Sequence, residues 1–129
     1  MSELKRNELK KALAERRAQV GCWLGSSDPY TVEIMGGSGF DWLLIDAEHA
    51  PHDIGAILRI TQILEAYPVQ VLVRPTDHDP AVIKRLLDVG IQSLVVPWVE
   101  TAEQARTLVQ AMRYPPDGFR GLGGAVARA

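Results

Sequence analysis

Residues 69–80, VQVLVRPTDHDP, hold the pattern that decides the fold. Residues 69–73 are short and nearly apolar on both faces, which is typical of a strand in a buried parallel sheet. Asp79 and Pro80 are a typical helix start, with a capping side chain followed by proline at the first helical position. The stretch therefore predicts a β-strand, a polar loop and an α-helix.

The same βα pattern occurs four times along the chain. Predicted strands lie at residues 20–24, 42–45, 69–73 and 92–96, and predicted helices at 28–35, 53–66, 79–89 and 101–112. A charged segment at residues 2–17 predicts one more helix ahead of them, and residues 114–129 predict a loop with no fifth strand. The fold class is α/β. Two architectures accept such repeats, an open doubly wound sheet and a closed (β/α)8 barrel; a barrel typically needs about 250 residues, so this chain would supply half of one.

Composition excludes several classes of protein. The chain has 129 residues, which predicts one domain or one incomplete domain. A net charge of −2 argues against dedicated nucleic-acid binding, which usually needs a basic domain. The apolar runs are far shorter than the roughly 18 residues of a membrane span. Cys22 is the one cysteine, which excludes an internal disulfide and suits a reducing compartment, and the absence of a secretory signal predicts a cytoplasmic protein.

Candidate chemistry follows the second and third predicted strands. Functional residues of parallel α/β folds gather at the carboxyl ends of the strands. Asp46, Glu48 and His49 follow the second strand, and Arg74 follows the third. A histidine there can act as a general acid or base, and an arginine can bind a carboxylate or stabilise an oxyanion. The alternatives are a structural salt bridge for Arg74 and a loop cap for Asp46.

Two other polar features have simpler explanations than ligand binding. The run Asp77-His78-Asp79 has the residue types of a small metal site, but the position of Asp79 before a proline favours helix capping. His52 stands next to Asp53, another expected cap, and we expect its ring to be solvated.

Residues 40–51, FDWLLIDAEHAP, resemble the signature of the HpcH/HpaI aldolase family, and within it the 4-hydroxy-2-oxoheptane-1,7-dioate aldolases. Five further stretches agree in order and spacing: residues 21–25 (GCWLG), 73–75 (VRP), 83–90 (IKRLLDVG), 113–116 (RYPP) and 118–121 (GFRG). The resemblance covers essentially the whole chain, but only the N-terminal half of the family's barrel. It implies that residues 1–129 form a single partial domain, an N-terminal helix plus four βα units, half of a (β/α)8 TIM barrel.

The resemblance implies a class II, divalent-metal-dependent pyruvate aldolase. Such enzymes are carbon–carbon lyases that cleave 4-hydroxy-2-oxo acids to pyruvate and an aldehyde, here in aromatic compound catabolism. By the resemblance, Arg74 would bind pyruvate and neutralise the enolate, and His49 would transfer protons. Asp88 would pair with His49, Trp23 would line the substrate pocket, and Glu48 would order water near the metal. The metal would be Mg²⁺, Mn²⁺ or Co²⁺. The family's metal-binding Glu and Asp lie on strands after the fourth, so none of the metal ligands is expected in this chain.

Two other interpretations stay open. The chain could be a non-catalytic half-barrel that forms homo-oligomers or pairs with a complementary half, because a lone half-barrel has unpaired sheet edges. It could also resemble the citrate lyase and malyl-CoA lyase group, which has the same type of barrel. The sequences around His49 and Arg74 favour the aldolases. No nucleic-acid or membrane partner is expected.

Overall fold

The structure, a computed structural model, describes residues 6–124 and residue 127. Helices and strands alternate along the chain after a first helix. The nine elements are α1 (Glu8–Ala14), β1 (Gly21–Leu24), α2 (Pro29–Gly36), β2 (Trp42–Asp46), α3 (Ile54–Leu64), β3 (Gln70–Arg74), α4 (Pro80–Asp88), β4 (Ser93–Leu94) and α5 (Ala102–Ala111). The four predicted βα units are confirmed.

The four strands form one parallel sheet in the order β1-β2-β3-β4. Each strand pairs with the next along the chain, so the order never reverses. A doubly wound sheet has a reversal point, whereas a barrel adds its strands in sequence. The strand order therefore selects the half-barrel from the two architectures that the sequence allowed.

The main core lies between one face of the sheet and helices α2, α3 and α4. Leu43, Ile45 and Val73 are completely buried on this face. They pack with helix residues of the same cluster, among them Val32 and Ile60. Alternation along the strands turns Asp46 and Arg74 to the opposite face, which would be the inside of a barrel.

Capping side chains begin four of the helices at the carboxyl edge of the sheet. The caps of α2, α3, α4 and α5 accept hydrogen bonds from backbone N–H groups in the first helical turn, and they are Asp28, Asp53, Asp79 and Thr101. Asp79 accepts a hydrogen bond from the backbone N–H of Ala81, so its predicted capping role is confirmed, and Asp77 in the preceding loop accepts one from the backbone N–H of Asp79. The N-terminal orphan N–H groups of each helix are thus partly satisfied within its own loop.

Two predicted elements are shorter in the structure. β4 contains only Ser93–Leu94 instead of residues 92–96, although the backbone N–H of Val95 still donates to the carbonyl oxygen of Val73. Within the described part of the helix predicted at residues 2–17, α1 runs from Glu8, after its cap Asn7, to Ala14. Residues 2–5 of that predicted helix lie outside the described residues.

Residues 113–120 turn back onto the amino edge of the sheet. The backbone N–H of Arg120 donates to the carbonyl oxygen of Arg113. The guanidinium of Arg120 is 2.8 Å from a carboxylate oxygen of Asp88 at the end of α4 and stacks on the ring of Tyr114. The Arg120 side chain is only 4% exposed and that of Asp88 21%, so this ion pair is largely desolvated. It fixes the loop, predicted without a fifth strand, against the end of α4.

No helix within the described residues is long and apolar enough to cross a membrane.

We predict that replacing Arg120 with Met lowers the free energy of unfolding by about 3 kcal/mol, because the carboxylate of Asp88 is left without its buried partner. Urea unfolding followed by circular dichroism measures the change. Arg106→Ala is the matched control. Its ion pair with Glu103 is exposed, and it should cost no more than about 0.5 kcal/mol. Equal losses of unfolding free energy in the two variants would contradict a stabilising role of the buried Arg120–Asp88 ion pair.

Candidate active site

The carboxyl edges of β2 and β3 bring together the polar residues that follow them. In the parallel register Asp46 lies opposite Arg74, the last residue of each strand. Arg74 Nε donates to Asp46 Oδ1 at 3.0 Å, and Nη2 donates to Oδ2 at 2.8 Å. This is a bidentate arginine–carboxylate pair, which fixes the guanidinium plane as well as its position.

Glu48 forms the second ion pair of Arg74. Its Oε2 is 3.0 Å from Nη1 of Arg74, and the Glu48 side chain is only 10% exposed. A guanidinium carries five N–H groups, of which two donate to Asp46 and one faces Glu48. Among the described residues, these contacts leave one N–H group on each terminal nitrogen to meet a ligand oxygen. The salt bridge that the sequence left open for Arg74 is present and still leaves donors for binding.

Asp46 has two structural functions at once. Its Oδ1 accepts hydrogen bonds from the backbone N–H groups of Glu48 and His49, which is the loop cap that the sequence allowed. The pKa of the Asp46 carboxyl is lowered from 3.8 to about 2, mainly by the hydrogen bonds from Arg74; the two backbone N–H groups contribute to this lowering, and burial opposes it. The same contact raises the pKa of Arg74. Asp46 is thus a fixed anion near neutral pH.

Trp23 covers the guanidinium from the end of β1. The carbon of the Arg74 guanidinium lies 4.5 Å from the centre of the Trp23 ring, a cation–π geometry. Trp23 remains half exposed, so its ring is also open to a ligand. The structure therefore places Trp23 beside Arg74, as expected for a residue of the pocket wall.

His49 follows Glu48 on the loop and reaches into solvent. Its side chain is 71% exposed, and Nε2 lies 3.8 Å from Oε2 of Glu48. An exposed imidazole beside the Arg74 cluster is available for proton transfer with a bound ligand.

Asp88, the fifth predicted site residue, lies away from this cluster. A helix that follows a parallel strand runs back toward the amino edge, and Asp88 is the last residue of α4. Among the described residues its carboxylate is bound by Arg120. The structure thus gathers His49, Arg74, Glu48 and Trp23 but does not bring Asp88 to His49 within one chain. The role of Asp88 beside His49 stays a prediction.

Trp98 is a member of the cluster that was not singled out from the sequence. Its indole N–H donates to Oε1 of Glu48 at 3.0 Å across 50 positions of sequence. Its φ is +61°, a left-handed conformation that costs a non-glycine residue about 1–2 kcal/mol. Its place just after the fourth strand was the one available signal. The hydrogen bond to a carboxylate helps to offset the backbone strain.

The structure corrects the expectation for His52. We expected a solvated ring, but His52 is buried, and neither ring nitrogen has a hydrogen-bond partner among the described residues. The backbone N–H of His52 donates to the carbonyl of Ala50, and this tight turn carries the ring inward. The ring lines a cavity of about 430 Å³ between α3 and α4, next to Ile57 and Leu86.

The residues present do not fit a divalent metal ion. Within residues 6–124 and 127, no three His, Cys, Asp or Glu side chains are grouped so that they could hold one. The carboxylates of Asp46 and Glu48 both face the guanidinium of Arg74. The chemistry of the cluster is therefore derived from the side chains of this chain alone.

Comparison with known proteins identifies the relatives of this chain. Residues 19–127 match the model of the family described as HpcH/HpaI aldolase/citrate lyase. The chain is 58% identical to a hydroxypyruvate/pyruvate aldolase of Deinococcus radiodurans, over 95% of this chain and 44% of that protein. It is 53% identical to a 4-hydroxy-2-oxo-heptane-1,7-dioate aldolase of Escherichia coli, over 95% of this chain and 47% of that protein.

A solved structure agrees with the sequence matches. A crystal structure of an HpcH/HpaI aldolase/citrate lyase family protein from Burkholderia cenocepacia superposes with a TM-score of 0.87 at 33% identity, covering 92% of this chain and 49% of that one. The chain spans about half the length of the relatives it matches.

We predict that the Asp46–Arg74 pair stabilises the fold above about pH 4 and ceases to do so as the pH falls to about 2. A carboxyl whose pKa is lowered in the folded state binds its proton at a lower pH than it does in the unfolded chain. Stability therefore decreases as the pH falls from about 4 to about 2. The shift from 3.8 to about 2 corresponds to roughly 2 kcal/mol. Carboxyl NMR titration should give the low pKa of Asp46. Arg74→Lys should raise this pKa, because lysine keeps the positive charge but cannot form the bidentate hydrogen bonds of a guanidinium. An unchanged titration in that variant would contradict Arg74 as the cause.

Proposed function

The chain belongs to the HpcH/HpaI aldolase/citrate lyase family, and from this we propose that its carboxyl-edge cluster is the 2-oxo-acid part of a pyruvate aldolase site. The reaction is the cleavage of 4-hydroxy-2-oxo acids to pyruvate and an aldehyde. The observation that carries the proposal is the guanidinium of Arg74 at the carboxyl edge. It is held by two carboxylates and an indole ring, and contacts among the described residues leave two of its N–H groups for a ligand.

Cleavage of the bond between C3 and C4 moves an electron pair into an enolate whose negative charge lies on the C2 oxygen. A fixed cation with N–H donors aimed at that oxygen stabilises the enolate more than the ketone, which is how a preorganised site lowers the barrier. Arg74 has this rigidity because Asp46 fixes two of its N–H groups and Trp23 covers its face. We assign Arg74 to substrate binding and enolate stabilisation.

We assign proton transfer to His49. The 4-hydroxyl group must lose a proton as the aldehyde forms, and C3 of the enolate must gain one to give pyruvate. His49 is the exposed imidazole beside the Arg74 cluster, so it can reach a ligand that Arg74 holds. Glu48 connects the two, because its Oε2 faces both Arg74 and His49. Asp88 enters the proposal through the family resemblance alone, since Arg120 binds its carboxylate here.

Because of the family resemblance, the proposal also includes a divalent metal ion and a role in aromatic compound catabolism. The described residues supply no metal site, so we derive no step of the reaction through a metal. Citrate lyase-type chemistry is the alternative within the family. A cytoplasmic location is proposed with the aldolase function.

We predict that the protein catalyses exchange of the methyl protons of pyruvate with D₂O, which is the enolisation half of the aldolase reaction. Proton NMR measures the exchange rate in a buffer that contains Mg²⁺ and no Mn²⁺. Arg74→Lys should lower the rate by about 100-fold, because a point charge does not replace the oriented N–H groups. His49→Gln should lower it by about 100-fold, through the loss of the proton carrier.

Arg106→Ala, on the exposed face of α5, is the matched control and should keep the wild-type rate. No exchange by the wild-type chain, or full exchange by Arg74→Lys, would contradict the proposal.

A second proposal concerns association, and the sheet edges favour it. Within the described part of the chain, β1 pairs only with β2 and β4 pairs only with β3, so one edge of each is unpaired. The side chains of Trp23, in β1, and of Val95, which directly follows β4, are exposed. Unpaired edges and exposed apolar side chains favour association with another copy or with a complementary half-barrel.

We predict that the chain sediments as a dimer or larger assembly instead of as a 14.2 kDa monomer. Analytical ultracentrifugation over a range of protein concentrations measures the mass. Adding charge at the edge, with Val95→Lys, should shift the assembly toward monomer, whereas Val109→Lys on the outer face of α5 should leave it unchanged. A monodisperse wild-type monomer would contradict this proposal and leave the aldolase assignment standing.

A further inference from the structure

Trp98 has three properties that seldom occur together. It is a bulky side chain in a left-handed backbone conformation, two-thirds of its surface is exposed, and its indole N–H is bound to a carboxylate of the proposed site. Backbone strain of this kind is retained where the surroundings over-determine it, and such residues cluster at ligand sites. An exposed tryptophan ring that is held in place presents apolar area at little cost in conformational entropy.

The indole N–H controls which oxygens of Glu48 can face Arg74. Oε1 of Glu48 accepts the hydrogen bond from Trp98, and only Oε2 is left for Nη1 of Arg74. If Oε1 were released, both oxygens of Glu48 could turn toward the guanidinium and engage it in bidentate fashion. They would then occupy N–H groups that the substrate needs. The Trp98 hydrogen bond therefore keeps donors of Arg74 free.

The exposed ring of Trp98 and the ring of Trp23 both belong to the cluster around Arg74. Trp23 lies over the guanidinium, while Trp98 is attached through Glu48. A 2-oxo acid bound to Arg74 extends its remaining carbons away from the guanidinium and so along this edge of the sheet. An apolar substituent at the far end of the substrate would bury part of an aromatic surface that is otherwise in water.

We propose that Trp98 is a specificity-determining residue that favours 4-hydroxy-2-oxo acids with an apolar aldehyde portion, and that its N–H positions Glu48 so that Arg74 stays open. The ring and the N–H thus have separable functions. This inference rests on the proposed aldolase function, because it takes Arg74 as the group that binds the 2-oxo acid.

The test compares two ligands that cannot be cleaved, pyruvate and 4-phenyl-2-oxobutanoate, by isothermal titration calorimetry with the full chain. The wild type should bind the phenyl compound at least about fivefold more tightly than pyruvate. Trp98→Gly, which suits the left-handed backbone, should remove this preference because the ring is gone. Trp98→Phe should keep the preference but bind both ligands about fivefold more weakly, because Glu48 is no longer held away from Arg74.

A double variant tests the positioning role. In a Glu48→Ala background, Trp98→Phe should have no further effect on pyruvate binding, whereas a merely structural tryptophan would weaken binding equally in both backgrounds. Val99→Ala, the neighbouring exposed residue of the same loop, is the control and should change neither affinity. Circular dichroism confirms that each variant is folded.

The outcomes separate this inference from the proposed function. Equal affinities of the wild type for the two ligands, or an undiminished preference in Trp98→Gly, would overturn the role of Trp98 while Arg74-dependent pyruvate binding leaves the aldolase assignment intact. Pyruvate binding that survives in Arg74→Ala, or no binding of either ligand by the wild type, would overturn the proposed function and the inference with it.

Discussion

The parallel pairing of β2 with β3 sets Asp46 opposite Arg74, and the candidate site depends on this register. A shift of β3 by one residue would turn Arg74 to the opposite face, into the apolar core between the sheet and the helices, and away from Asp46. There the completely buried Leu43, Ile45 and Val73 leave no room for charge. The packing of the core thus fixes the register, and the register brings carboxylate and guanidinium together in bidentate geometry.

The two edges of the sheet have different functions because all four parallel strands begin at one edge and end at the other. At the carboxyl edge, loops end in capping side chains that start the helices, and the residues between strand and cap are free to form a site. At the amino edge, side chains bind distant parts of the chain to one another. Asn7 donates to Ser93, and Arg120 binds Asp88. Chemistry and stabilisation are therefore separated by the length of a strand, as is common in barrel enzymes.

The charge balance of the cluster limits what it can bind. Two carboxyl groups face one guanidinium, so Arg74 is well oriented but its single positive charge faces two formal negative charges. Its value to a ligand lies in directed N–H groups more than in net attraction. Trp23 stacks on the guanidinium, and Trp98 donates to Oε1 of Glu48. Such a site selects ligands by shape and by the position of their oxygens.

The sequence by itself determined the four βα units, the capping aspartates, the family and the polar residues that follow β2 and β3. These depend on local propensity and on short motifs, which are present in the chain before it folds. Only the tertiary structure decided the strand order, the ion pairs of Arg74 with both Asp46 and Glu48, the place of Asp88 against Arg120, the burial of His52 and the participation of Trp98. Each of these joins residues that are distant in sequence or sets a side chain's exposure. Local pattern does not encode such contacts, because they depend on how separate elements pack.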